Sequence, residues 1–240
     1  MAETIGHMIN RIQTLYSKGA NSDDNLLEDR LIYHKMKNLK NMLIIQKANN
    51  KRYINPFSFD TINCIELELV PLNECPCIPY KGCKIYRSKY KIPKILSGRT
   101  GMLFKSIVNI SGERVLSIVS EEERIYKKGS KYTKDKPDAF IKDGYLFLNA
   151  PTDIGKVVSI TALFEDEEEV AKFKTYCHEE KECEDCCMSM YERPFKIDHD
   201  LVETVIEMCY NEFLQIFPIM NKDIDNDSAE DNDQQQQQRK

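Results

Sequence analysis

The sequence contains no tryptophan and only four histidines in 240 residues. Aromatic bulk must therefore come from Tyr and Phe, and there is little raw material for general acid–base work near neutral pH. No run approaches the ~20 apolar residues that a bilayer crossing needs. The first ten residues carry Glu3, His7 and Asn10 and have no apolar stretch behind a basic start, so no secretory signal is expected. Also missing are a phosphate-cradling glycine loop, a nucleophile elbow and an HExxH pair. Catalytic groups scattered along a chain would escape this test, but the pattern favours a non-enzymatic protein that needs no cofactor.

One-sided charge is lacking too. The formal charge is −5, which gives no general basicity for nucleic acid. Charged residues make up 30% and hydrophobic ones 41%, a balance that folds rather than stays disordered. The length allows one large domain or two small ones.

Apolar spacing predicts two N-terminal helices in a hairpin. Ile5, Met8, Ile9 and Ile12 recur at helical intervals, and Gly19 is placed to cap the end. A second helix is expected over 22–50, with Leu31, Met36, Leu39 and Leu43 on its apolar side. The short connection makes the pair antiparallel. From Phe57 the period becomes two. Ile65, Leu67 and Leu69 alternate with Glu66 and Glu68, as in a strand with one wet face. Asp143-Gly144 between apolar runs marks a tight hairpin. Residues 156–164 are apolar on both faces, which suits a central strand. A short acidic helix is expected over 165–176, capped by Asp166, and a last helix from Asp198 or Asp200 to Phe217. The expected fold class is α+β, with terminal helices forming a bundle around a central antiparallel β-rich domain of hairpins. The expected units are a helical hairpin (1–56), the β-rich part (57–164), returning helices (165–218) and a flexible acidic, glutamine-ended tail (219–240).

Nine cysteines without a signal peptide suggest reduced thiols. Cys183 and Cys186 have the gap of one zinc knuckle, but a second knuckle is missing, and Cys75, Cys77 and Cys83 do not supply it. Plain thiols are the simpler reading, with a structural zinc or a redox centre as alternatives; Cys64 and Cys209 fit core positions. Lys35, Lys37, Lys40, Lys47, Lys51 and Arg52 gather toward the far end of the second helix, with no acids close by in sequence. They fit a solvated face, a docking face for an acidic neighbour, or phosphate contact. The run Glu165 to Glu169 reads as a solvated first turn, or as a face for the basic helix of another copy. Asp223, Asp225 and Asp227 alternate like calcium ligands but lack the glycine and terminal Glu of such a loop.

Several stretches carry a resemblance. Arg30-Leu31-Ile32-Tyr33-His34-Lys35, Cys75-Pro76-Cys77-Ile78-Pro79, Ser88-Lys89-Tyr90-Lys91-Ile92-Pro93, Tyr126-Lys127-Lys128-Gly129-Ser130-Lys131-Tyr132-Thr133 and Leu163-Phe164-Glu165-Asp166 resemble a structural protein of crAss-like short-tailed bacteriophages. That resemblance implies a head-to-tail connector, or portal-adaptor, that stacks as a ring of commonly twelve copies beneath the portal. It implies a virion location at the head–tail junction after synthesis in the bacterial cytoplasm. Its partners would be other copies, the portal, adjoining tail or ring proteins, and DNA passing without sequence recognition, with no membrane. It brings no catalytic residues. On this reading Arg30, His34, Lys35, Lys37, Lys40 and Lys47 are candidates for one contact face. Glu167, Glu168, Glu169, Asp223, Asp225 and Asp227 are candidates for another. The rival reading is a nucleic-acid-binding accessory protein without sequence preference.

Overall fold

A computed structural model describes residues 3–17, 19, 27–71, 84–109, 115–120, 123, 126–127, 131–132, 136–149, 156–175 and 189–217. Helix α1 spans Ile5–Tyr16. Thr4 opens it by accepting a hydrogen bond from the His7 N–H at 3.2 Å. Gly19, at φ +102°, takes the left-handed position beyond its end and donates to the Thr14 carbonyl at 2.9 Å. Helix α2 spans Asp29–Asn49. The expected start at residue 22 falls outside the described residues.

Among the described residues nine strands follow: β1 Asp60–Pro71, β2 Lys84–Ser88, β3 Ser97–Gly98, β4 Gly101–Met102, β5 Phe104–Asn109, β6 Ser117–Ile118, β7 Asp138–Lys142, β8 Tyr145–Asn149 and β9 Val157–Ala162. Two further α-helices complete the described fold, α3 over Glu167–Ala171 and α4 over His199–Ile216. Helix α3 is shorter than the expected 165–176 and buries no residue of its own, although Val170 packs on the sheet's core.

Seven strands form one sheet in the order β5-β9-β1-β2-β8-β7-β6. Strand β9 is interior, between β5 and β1, as its two apolar faces require. The β7–β8 hairpin turns at Asp143 (φ +52°) and Gly144 (φ +82°), and Lys142 pairs with Tyr145 across it. Both turn residues have positive φ, the requirement of a type I′ turn. The two edge strands come back toward each other: Val108 bridges to Val115, and the Leu116 N–H donates to the Ile107 carbonyl at 2.8 Å. The sheet therefore nearly closes into a barrel and covers most of its own edges. The expectation of purely antiparallel hairpins is corrected in one place, because β6 runs parallel to β7.

Strand β1 also departs from simple alternation. A bulge between Ile62 and Ile65 carries Cys64 at φ +58°. Beyond it Ile65 and Leu67 point into the barrel core, yet Leu69 is exposed and Val70 is buried. The reason is a small second cluster that Val70 forms with Ile85, Phe140 and Phe147.

The helices form the bundle that their apolar stripes predicted. Ile5, Met8, Ile9 and Ile12 of α1 pack with Ile32, Met36, Leu39 and Leu43 of α2 and with Leu201, Val205, Cys209 and Phe213 of α4. Barrel and bundle meet on α2. Its Ile44 leaves the bundle and joins Leu96 and Leu163, beside Ile45, Ile54, Phe59 and Leu103.

Phe213 is 2% exposed in the bundle core. Phe213→Ala is expected to cost about 3–5 kcal/mol, read as a lower urea midpoint by circular dichroism.

Candidate functional site on the second helix

Lys35, Lys37, Lys40 and Lys47 lie along α2, the helix that packs into the bundle and against the barrel. Lys37, Lys40 and Lys47 are three and seven residues apart, so they lie along one flank of the helix. That flank borders the buried stripe. The side chains of Lys37, Lys40 and Lys47 are 17%, 5% and 12% exposed. A lysine so placed needs an acid, because an unpaired buried ammonium is far costlier than a paired one.

Each finds its acid within the same chain. Lys35 pairs with Glu212 of α4. Lys37 Nζ lies 2.6 Å from Asp166 Oδ2, and Lys40 pairs with Glu167 while its ammonium sits 5.2 Å from the centre of the Phe195 ring. Lys47 Nζ bonds Asp198 Oδ2 at 2.7 Å and Asp200 Oδ1 at 2.9 Å. The chain delivers these acids by two routes. After β9, Leu163 packs on Ile44, and the Glu165 carbonyl accepts from Asn41 Nδ2 at 2.9 Å, which brings the start of α3 over α2. Helix α4 runs antiparallel to α2, so its first turn reaches Lys47 and its last full turn reaches Lys35.

The lysines that have no acids close by in sequence thus meet acids from distant parts of the same chain. The acids at the start of α3, candidates for a face toward another copy, meet lysines of their own chain. Glu168 pairs with Lys172 at 3.2 Å, and its N–H donates to Asp166 at 2.9 Å. Glu169 lines a shallow groove with Lys37, Asn41, Met42, Ile45 and Leu96. Arg30 and His34 are exposed, and the His34 ring lies 5.9 Å from that of Tyr33. Asp223, Asp225, Asp227, Cys75, Cys77, Cys83, Cys183 and Cys186 lie outside the described residues.

Asp198 is the deepest of these acids, 3% exposed. It also accepts from Ser58 Oγ at 2.6 Å and from the Asn55 N–H at 3.0 Å. Burial pushes its carboxyl up, but the bonds from Lys47, Ser58 and Asn55 outweigh burial and hold it below the usual carboxylate range. Asp166 behaves alike: burial opposes the bonds from Lys37 and the Glu168 N–H, and the net shift is downward. Sequence spacing showed the lysines but not their acids, which come from 127 or more residues away. The usable signal was the position of the lysines next to Met36, Leu39 and Leu43, where an unpaired charge would not be tolerated.

The cysteines divide. Cys209 is free and buried, and burial raises its thiol to about 12, which suits a core side chain rather than a nucleophile. Cys64 is disulfide-bonded, which corrects the expectation of a plain core thiol. Among the described residues, no group of three or more His, Cys, Asp or Glu comes together to hold a metal. No described helix is long and apolar enough to cross a membrane.

A carboxylate held low in the folded state stabilises that state above its unfolded pKa, and the gain is lost as pH falls through the folded value. Stability is therefore expected to hold down to about pH 4 and to fall below it. Asp198→Asn leaves Lys47 with a neutral partner in that place. It is expected to cost about 3 kcal/mol near neutral pH and to flatten the acid limb, both read from urea midpoints across pH.

The charged flank thus works inside the chain, pairing α2 with α3 and α4. The family described as phage tail ring protein 2 matches residues 7–234. No curated protein matches the chain. Since that match runs through bundle and barrel alike, the chain belongs to the phage tail ring protein 2 family of the crAss-like phages and is a structural tail-ring protein.

Proposed function

We propose that this chain forms one ring of the head-to-tail connector, where it joins the portal to the rest of a short tail and surrounds the path of the exiting genome. The observation that carries this reading is the family match across residues 7–234, which runs through bundle and barrel alike. The finer placement at the portal is supported by the resemblance to connector proteins in residues 30–35, 75–79 and 88–93. The architecture suits the task. A near-closed barrel and a three-helix bundle share α2, so each copy carries load as one packed body. In a closed ring each copy presents two different, complementary surfaces. Twelve copies and a virion location belong to the same proposal. DNA would pass through the ring with little grip from α2 on its phosphates, because Lys35, Lys37, Lys40 and Lys47 are already paired.

Electron microscopy of the purified chain mixed with the portal protein of the same genome tests this. Twelve-fold rings seated on the portal are expected. Dispersed monomers with no affinity for the portal would refute the proposal.

A further inference from the structure

The two ends of the bundle differ chemically. At one end, the chain leaving α2 presents Lys51, Arg52 and Tyr53, all exposed, with Tyr53 at 75%. Phe57, 43% exposed, follows on the same connection. The β3–β4 hairpin adds a third cation: the Arg99 N–H donates to Asn49 Oδ1 at 2.6 Å, which holds this exposed residue beside the end of α2. Unlike Lys47, the side chains of Lys51, Arg52 and Arg99 meet no acid among the described residues. At the other end, α4 finishes at Ile216, and Tyr16 Oη donates to the Phe217 carbonyl at 2.8 Å. Because α4 runs antiparallel to α2, the basic end and the end of α4 are separated by roughly 27 Å, the length of an 18-residue helix.

The chain that continues beyond Phe217 has the opposite chemistry. Asp223, Asp225, Asp227, Glu230, Asp231 and Asp233 follow one another with no intervening Lys or Arg. Asp233 is the sixteenth residue beyond Phe217, a reach of up to about 55 Å. A path back to the basic end of the same copy would run the length of α4, past the exposed Glu207 and a Glu203 already paired with Arg11 at 2.7 Å, and finds no free cation among the described residues on the way. The basic end of another copy offers attraction without that passage.

Resting on the ring reading, we propose that the acidic segment 221–233 of one copy docks on the Lys51, Arg52, Tyr53 and Arg99 end of the next. The contact is heterologous, with tail and receptor at opposite ends of the protomer, as propagation around a ring requires. Cations attract the carboxylates, and Tyr53 with Phe57 supplies apolar area against Ile224 and the backbone. A contact of this kind weakens as salt rises.

The test uses full-length chains and analytical ultracentrifugation over a range of concentration and salt. One variant is Lys51→Gln with Arg52→Gln; the other is Asp223→Asn with Asp225→Asn and Asp227→Asn. Lys51 and Arg52 are exposed, so circular dichroism melting of the first variant should match the wild type. The wild type is expected to self-associate in a salt-sensitive way. Each variant alone should need at least about tenfold more protein to associate. A 1:1 mixture has one intact tail facing one intact receptor, so heterodimers that do not grow into rings are expected. Unchanged association of both variants would overturn the docking while leaving the ring reading in place. Impaired variants that give no heterodimer on mixing would also overturn it, because they place the tail on its own copy. Loss of duplex-DNA binding in the first variant, with association intact, would assign the basic end to nucleic acid and overturn it. A wild type that stays monomeric at every concentration and does not seat on the portal would remove the ring reading and the docking together.

Discussion

The pairing of the α2 lysines with acids from α3 and α4 is the interaction on which the rest of the structure depends. Helix α2 is the one described element that packs into both the bundle and the barrel. Its apolar stripe alone would leave it free to slide or rotate a little between them. Lys35 and Lys47 fix it against α4, and Lys37 and Lys40 fix it against the chain leaving the barrel. Salt bridges this buried add little net stability over a well-packed apolar pair, but breaking one is expensive. Their contribution is therefore to register. They specify which turn of α2 faces which element, and hence how bundle and barrel are joined.

That assignment changes what the charges mean for function. A lysine-rich helix invites a reading as a surface for DNA or for an acidic neighbour. Once its flank is neutralised within the chain, the surface left for other molecules is concentrated elsewhere. The end of α2 and the adjoining β3–β4 hairpin keep three cations without acids among the described residues, and the sequence beyond α4 supplies carboxylates in quantity. On the proposed docking, contacts at the ends of the protomer would join copies, while the interior pairs hold each copy in one register.

Much of this fold was legible in the sequence. Helical spacing located α1, α2 and α4, and Asp143-Gly144 located a hairpin that both φ angles confirm. The interior position of β9 followed from its two apolar faces. What escaped was non-local. The parallel β6–β7 pair and the near-closure through Val108 and Val115 depend on which distant strands meet. The exposure of Leu69 depends on the cluster around Phe140 and Phe147 that draws Val70 to the other face. The acids opposite the lysines were invisible for the same reason, since Lys47 and Asp198 are 151 residues apart. Acids near in sequence were the wrong place to look, and the burial of neighbouring apolar residues was the better guide.

The most direct measurement is a charge swap across the seam, Lys40→Glu and Glu167→Lys, singly and together, with chemical denaturation and sedimentation run on each variant. If the seam holds the protomer together, each single change lowers the denaturation midpoint and the paired swap recovers part of the loss. Self-association of the folded chain then stays as it was. Single variants that keep full stability but lose association would instead make the seam a surface between copies, and would contradict the role assigned to the α2 lysines inside the protomer.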